Sequence, residues 1–129
     1  MSKIIIELPF LPPSVNSCYR SVGSRVYKSK RLREYENTMS EYFEIFHKNF
    51  EMLKGGLSLD VVFNLKGKRS IDLDNMLKAL IDGLEGRCFE NDKMIMQIRA
   101  RKINNCKEPH TSVTLCQLDS SSPSDDSLP

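Results

Sequence analysis

The chain has few of the residues from which zinc centres are built. It contains two histidines and four cysteines, and none of the cysteines forms a Cys-x-x-Cys pair. Structural zinc sites usually combine such pairs with each other or with histidines. The sequence therefore gives no basis for a zinc centre and predicts reduced thiols in a cytosol-like compartment.

Long apolar runs are also missing. No run approaches the roughly 20 apolar residues that a membrane-spanning helix needs. The first residues, Met1 to Pro9, are too soon interrupted by an acid to resemble a secretory signal peptide. We therefore expect a cytoplasmic protein with no membrane partner. Its 129 residues suffice for one domain with a core of its own, but not for two.

Charge is unevenly distributed along the chain. Residues 119–129 hold three of the 17 acidic side chains and no basic one, so residues 1–118 carry 19 Lys and Arg against 14 Asp and Glu, a net charge of +5. We predict that residues 1–118 form the folded domain and that residues 119–129 are a disordered, acidic, serine-rich tail.

Basic side chains cluster within the folded part. Two runs contain no acid: Arg20, Arg25, Lys28, Lys30, Arg31 and Arg33 in the first, and Lys66, Lys68 and Arg69 in the second. Such clusters are typical of surfaces that bind polyanions, although a single basic run can also be an ordinary solvated surface.

Hydrophobic periodicity predicts an α+β domain. Alternating apolar residues indicate strands, and apolar residues spaced by three or four indicate two helices. The prolines at positions 9, 12 and 13 predict an irregular loop from Phe10 to Arg20. The predicted fold is a mixed β-sheet with two helices packed on one face. Its predicted strands are Lys3–Leu8, Arg25–Tyr27, Leu57–Leu65, Met94–Arg101 and Thr111–Leu118. The first predicted helix starts after Ser29 and ends at Gly55-Gly56. The second runs from about Asp74 to about Leu84.

The second helix carries charged residues beside its apolar stripe. Asp74, Lys78 and Asp82 are four residues apart, so they lie along one side of the helix. Asp72 precedes the helix and can direct its side chain towards the same place. Two carboxylates held close together repel unless a cation or a shared proton lies between them. Mg²⁺ is a suitable cation because it binds one or two carboxylates and keeps positions for water and phosphate.

A purely structural role for these acids remains open at this point. Aspartate is favoured at a helix N-cap, where the helix dipole stabilises its charge, so either Asp72 or Asp74 could be a cap. Lys78 could equally form an ion pair with Asp74 or Asp82. Short Asp-x-Asp matches are common, and nucleotide-sugar transferases also use one with a metal.

Three stretches together resemble one family. They are Asp72-Leu-Asp-Asn-Met-Leu-Lys78, Asp92 just before a predicted strand, and Pro12-Pro-Ser-Val-Asn-Ser-Cys-Tyr-Arg20 after the first strand. In this order and separation they are similar to the RusA-type crossover junction endodeoxyribonucleases, the small Holliday junction resolvases of bacteria and their phages. The resemblance runs from about Ile4 to Leu118.

The resemblance implies a bacterial or phage-encoded homodimer that cuts two opposed strands of a four-way DNA junction. It implies Mg²⁺, with Mn²⁺ as a substitute, and no organic cofactor. Asp72, Asp74 and Asp92 match the family's acidic catalytic and metal-binding residues, and Lys78 matches its active-site lysine. The loop with Asn16, Tyr19 and Arg20 matches a substrate-facing loop.

Phosphate contacts are expected from the basic clusters, namely from Arg20, Lys28, Lys30, Arg31, Lys68 and Arg69. Two other functions fit the same residues: a non-catalytic module that binds branched DNA, and a less selective Mg²⁺-dependent endonuclease.

Overall fold

The structure is a computed structural model that describes residues 2–13, 19–22, 25–48, 51–68 and 71–118, with the backbone alone for residues 19–22 and 25–28. The remaining residues, including the predicted tail 119–129, lie outside this description. The described elements are β1 (Lys3–Leu8), β2 (Tyr19–Val22), β3 (Arg25–Lys28), α1 (Lys30–Phe46), β4 (Leu57–Asn64), α2 (Leu73–Leu84), a 3₁₀ helix (Asp92–Met94), β5 (Ile95–Ile103) and β6 (His110–Gln117).

Four strands form one mixed sheet in the order β1-β6-β4-β5, while β2 and β3 pair as a separate two-stranded sheet. Strands β4 and β5 run parallel, whereas β6 is antiparallel to both β1 and β4. A parallel pair needs a long crossover connection, and α2 is the helix of that crossover. The chain therefore passes from β4 through α2 and the 3₁₀ helix into β5.

One face of the sheet is buried and carries both helices. Ile6, Val113, Val61 and Ala100 follow one another across the four strands, and the first three are almost fully buried. The residues that alternate with them, such as Ile5, point to the other face and are much more exposed. The helices complete the core with side chains at helical spacing: Tyr35, Met39 and Phe43 from α1, and Met76, Leu80 and Leu84 from α2. The predicted α+β fold with two helices on one face of a mixed sheet is confirmed.

The predicted end of α1 is wrong. The helix stops at Phe46 with a cap at His47, far short of Gly55-Gly56. Phe46 is 65 % exposed, so it does not continue the buried stripe. Leu53 is buried for a different reason: it forms a β-bridge with Phe89 and donates its N–H to the Cys88 carbonyl at 2.9 Å. Leu53 thus has helical spacing from the residues of α1 but belongs to a β-bridge outside that helix.

One strand was missed, and another was predicted correctly but exposes part of its apolar side. Tyr19 and Arg20 belong to β2 and not to the irregular loop, because the effect of the prolines ends several residues earlier. In β5 the apolar residues alternate as expected, yet Met96 and Ile98 are 68 % and 48 % exposed. Strand β5 lies at the sheet edge, and a register shift between Leu57 and Ser58 leaves Met96 without a paired residue on β4.

The described cysteines form no disulfide: Cys88 is buried, and Cys106 and Cys116 are partly exposed. Burial raises the pKa of the Cys88 thiol to about 12, against the opposing effect of the Arg87 charge. Its thiol therefore stays protonated and unreactive at neutral pH. None of the described helices is long and apolar enough to cross a membrane.

Gly83 allows α1 and α2 to pack closely, although a glycine near the end of a helix commonly marks its stop. It is buried inside α2, and a Cβ there would lie 2.9 Å from Met39 Cε and 3.4 Å from Met39 Cγ. Met39 is itself fully buried, so its side chain has little room to move.

Gly83→Val should lower the free energy of unfolding by about 1–3 kcal/mol, the usual cost of overpacking a core. Urea denaturation measures this cost. If the clash with Met39 is the cause, Met39→Ala combined with Gly83→Val should cost clearly less than the sum of the two single changes. Additive costs would show that the contact does not limit the packing of the helices.

Candidate active site

The first turn of α2 carries two of the predicted acids. Asp72 occupies the N-cap position, but its side chain makes no capping hydrogen bond. Its Oδ2 accepts instead from Asn75 Nδ2 at 3.2 Å, and the residue remains exposed. Asp74 follows within the first turn and is also exposed. Capping therefore does not account for the Asp72 carboxylate, and the positive end of the helix dipole stabilises both charges.

Asp92 is placed by the return from α2 to β5. It is the first residue of the 3₁₀ helix, whose N-cap Asn91 accepts a hydrogen bond from the Lys93 N–H at 2.9 Å. The Asp92 N–H donates to Glu85 Oε2 at 2.8 Å. Glu85 follows the last residue of α2, so this bond ties Asp92 to the end of that helix.

A shallow pocket of about 240 Å³ joins the helix acids Asp74 and Asp82 to Asp92 of the return. Leu77 and Ile81 provide its apolar wall. Its charged lining consists of Asp74, Lys78, Asp82 and Asp92. Two of the three predicted acids, Asp74 and Asp92, therefore face one pocket together with the predicted lysine, while Asp72 stands at the helix terminus outside the lining.

Within the described residues, no group of three or more His, Cys, Asp or Glu side chains is arranged so that it could hold a metal ion. The prediction that Asp72, Asp74 and Asp92 bind a metal together thus stays a prediction. Two exposed carboxylates on one open pocket still suit Mg²⁺, which takes one or two carboxylates and fills its other positions with water and phosphate oxygens.

Lys78 forms an ion pair with Asp82, with 3.6 Å between Nζ and Oδ2. Both side chains are about half exposed, and such i,i+4 pairs stabilise a helix by only about 0.3–0.5 kcal/mol. The pair keeps the ammonium group of Lys78 at the pocket. Because the pair is weak, breaking it to release Lys78 costs little free energy.

The predicted phosphate-binding residues fall into three groups. Lys30, Arg31 and Lys68 are described and exposed; Lys30 pairs with Glu34 at 3.9 Å across exposed side chains. Tyr19, Arg20 and Lys28 lie in the paired strands β2 and β3, where only the backbone is described. Asn16 and Arg69 lie outside the described residues.

Arg31 lines a wide groove of about 530 Å³ between α1, the proline-rich segment after β1, and Ile71. Ile71 directly precedes Asp72, and its carbonyl accepts a hydrogen bond from Lys102 Nζ at 2.8 Å. A basic residue of α1 and one of β5 thus both lie near the start of α2.

Comparison with known proteins identifies the family. The family model described as endodeoxyribonuclease RusA matches residues 9–116, which include the whole pocket and both helices. The chain belongs to the RusA family. Two curated relatives are named crossover junction endodeoxyribonuclease RusA: one from Aquifex aeolicus is 32 % identical over 112 residues, covering 84 % of this chain and 87 % of the relative. The other, from Enterobacteria phage HK97, is 31 % identical over 100 residues, covering 77 % of this chain and 82 % of the relative.

In this RusA chain, further residues that the sequence did not single out lie at or near the candidate site. Asp82 was recognised as a neighbour of Lys78 but not as part of the pocket lining. Glu85 and Lys102 were missed, since each reaches the site through one hydrogen bond to the backbone. The one signal in the sequence was Glu85 itself, an acid at a helix C-terminus, where the dipole disfavours negative charge.

Proposed function

We propose that this RusA protein is a Mg²⁺-dependent crossover junction endodeoxyribonuclease that resolves four-way DNA junctions. The observation that carries the proposal is the pocket shared by Asp74, Lys78 and Asp92, within a chain matched by the endodeoxyribonuclease RusA family model. A phosphodiester is anionic and resists attack by water, so its hydrolysis requires positive charge next to the phosphate.

Asp74 and Asp92 would hold Mg²⁺ at the pocket, with Asp72 available from the helix terminus. When bound, the ion supplies charge that neutralises the phosphate and lowers the pKa of water. Two carboxylates near a phosphate would repel the DNA without this cation. The acids therefore make DNA cleavage dependent on the metal, while Mn²⁺, which accepts the same oxygen ligands, is the expected substitute.

Lys78 would stabilise the negative charge that develops on the phosphate during cleavage. Its ammonium group lies at the pocket and is held there by Asp82 through an exposed pair. Because such pairs are weak, Lys78 can exchange Asp82 for a phosphate oxygen as DNA arrives. Asp82 would then keep the lysine in place between rounds of binding.

The basic surface would bind the arms of the junction. Lys30 and Arg31 project from the first turn of α1, and Lys68 lies in the loop between β4 and α2. Contacts to phosphate are independent of sequence and weaken with salt. The remaining candidates for these contacts are Asn16, Tyr19, Arg20, Lys28 and Arg69.

The direct test is incubation of the protein with a mobile four-way junction and Mg²⁺, followed by separation of the products on a gel. We expect nicked duplexes from paired cuts in opposed strands. A protein that binds the junction without cutting it would instead be a non-catalytic branched-DNA-binding module. Equal cutting of junction and linear duplex would identify a less selective endonuclease.

Asp74→Asn and Asp92→Asn should each abolish cleavage in Mg²⁺, because each removes a carboxylate from the proposed metal site. Junction binding, measured by gel shift without metal, should persist or tighten, since a negative charge near phosphate is lost. Glu90→Gln removes a charge from an exposed neighbour outside the pocket lining and should cut normally. Folded variants that lose binding and cleavage to the same extent would contradict the assignment.

A homodimer is the arrangement that we propose for paired cutting. Each chain contributes one pocket with the proposed acids, whereas a junction is resolved by two cuts related by a two-fold axis. In heterodimers of wild type and Asp74→Asn, purified by two different tags, we expect a cut in only one of the two opposed strands. Complete resolution by such heterodimers would rule out one cut per subunit.

A further inference from the structure

Glu85 makes the contact that connects Asp92 to α2. Its Oε2 accepts the Asp92 N–H at 2.8 Å, across seven residues of chain. Glu85 is partly buried at the C-cap of α2, where its own N–H donates to the Ile81 carbonyl at 3.0 Å. The acceptor is therefore fixed to the helix that carries Asp74 and Lys78.

The first half of the return loop is anchored by the core. Phe89 is fully buried, its carbonyl accepts from the Gly86 N–H at 2.7 Å, and the Cys88 carbonyl accepts from the Leu53 N–H at 2.9 Å. After Phe89 the chain is exposed at Glu90, Asn91 and Asp92. The Glu85 contact bridges this exposed part and returns Asp92 to the helix.

Glu85 is placed where a helix disfavours an acid. A carboxylate at a helix C-terminus opposes the helix dipole, yet this one accepts a hydrogen bond from the backbone N–H of Asp92. Its hydrogen bond to the Asp92 N–H is charge-assisted and therefore stronger than that of a neutral acceptor. The Glu85 carboxylate adds negative charge beside the pocket, which is unfavourable. Its hydrogen bond also fixes the position of the Asp92 backbone.

We propose that Glu85 is a positioning residue of the active site. It fixes the backbone of Asp92 so that the Asp92 carboxylate faces the pocket and the cation that it shares with Asp74. The inference rests on the proposed function, but it concerns a contact that can be measured without DNA.

Glu85→Ala removes the acceptor, whereas Glu85→Gln removes the charge and keeps an oxygen that can accept the same hydrogen bond. Loss of a group that orients a metal ligand typically costs about 10- to 100-fold in metal affinity or activity. We expect a loss of this size for Glu85→Ala and nearly wild-type behaviour for Glu85→Gln. Glu90→Ala is the matched control, because it removes an exposed acid two residues before Asp92.

The experiment combines three measurements on the full chain: hydrogen exchange of the Asp92 amide by NMR, Mn²⁺ affinity by calorimetry, and the Mg²⁺ dependence of junction cleavage. Glu85→Ala should accelerate exchange of the Asp92 amide, weaken Mn²⁺ binding and raise the Mg²⁺ concentration needed for half-maximal cleavage. Junction affinity without metal should persist or tighten, since a negative charge beside the pocket is lost. In Glu85→Gln, the exchange rate, the Mn²⁺ affinity and the Mg²⁺ requirement should stay close to those of the wild type.

Two results would overturn the proposal: metal and exchange behaviour of Glu85→Ala equal to that of Glu90→Ala, or a Glu85→Gln variant as impaired as Glu85→Ala. Failure of the wild type to cut any junction would instead refute the proposed function. In that case amide exchange and Mn²⁺ affinity still decide whether Glu85 positions Asp92. If Glu85→Ala does not fold, the Gln variant decides, since weaker Mn²⁺ binding by folded Glu85→Gln would contradict positioning through the hydrogen bond.

Discussion

Met76, Leu80 and Leu84 are fully buried between α2 and the sheet, and this packing determines where the acidic side chains of α2 lie. When one side of a helix faces the core, the direction of every other side is fixed as well. Burial of this stripe therefore places Asp74 and Lys78 at the edge of the contact between α2 and the core. Burying three such side chains stabilises the domain by roughly 1.5–3 kcal/mol each. The position of the pocket thus depends on the core and not on the polar residues themselves.

The parallel pairing of β4 and β5 explains how Asp92 joins this pocket. Because α2 is the crossover between these strands, the chain must leave the end of the helix and re-enter the sheet beside it. Asp92 lies in that return, and Glu85 holds it there. The site therefore combines one acid from a rigid helix with one from a short connection, and the connection is where small changes in position are possible.

Much of this organisation could be predicted from the sequence. The apolar stripe of α2 predicted its boundaries to within one residue, and the alternation in β4 predicted its buried face. Patterns failed where tertiary context decided the outcome. Leu53 is buried by a bridge and not by α1, and Met96 is exposed where the β4–β5 register shifts and leaves it without a paired residue. Contacts between side chain and backbone, such as those of Glu85 and Lys102, leave almost no signal in periodicity. Gly83 showed the opposite problem, since a glycine that marks a helix end in isolation here permits close packing of two helices.

The central claim is that Asp74 and Asp92 bind one cation between them. Titration of the protein with substoichiometric Mn²⁺, followed by NMR, tests this most directly, because the paramagnetic ion broadens resonances of nearby nuclei. The account predicts that amide signals around Asp74 and around Asp92 broaden together, and that either aspartate-to-asparagine change reduces the broadening at both places. Two results would contradict a shared site. One is broadening around only Asp74 or only Asp92; the other is broadening around one aspartate that stays unchanged when the other aspartate is replaced.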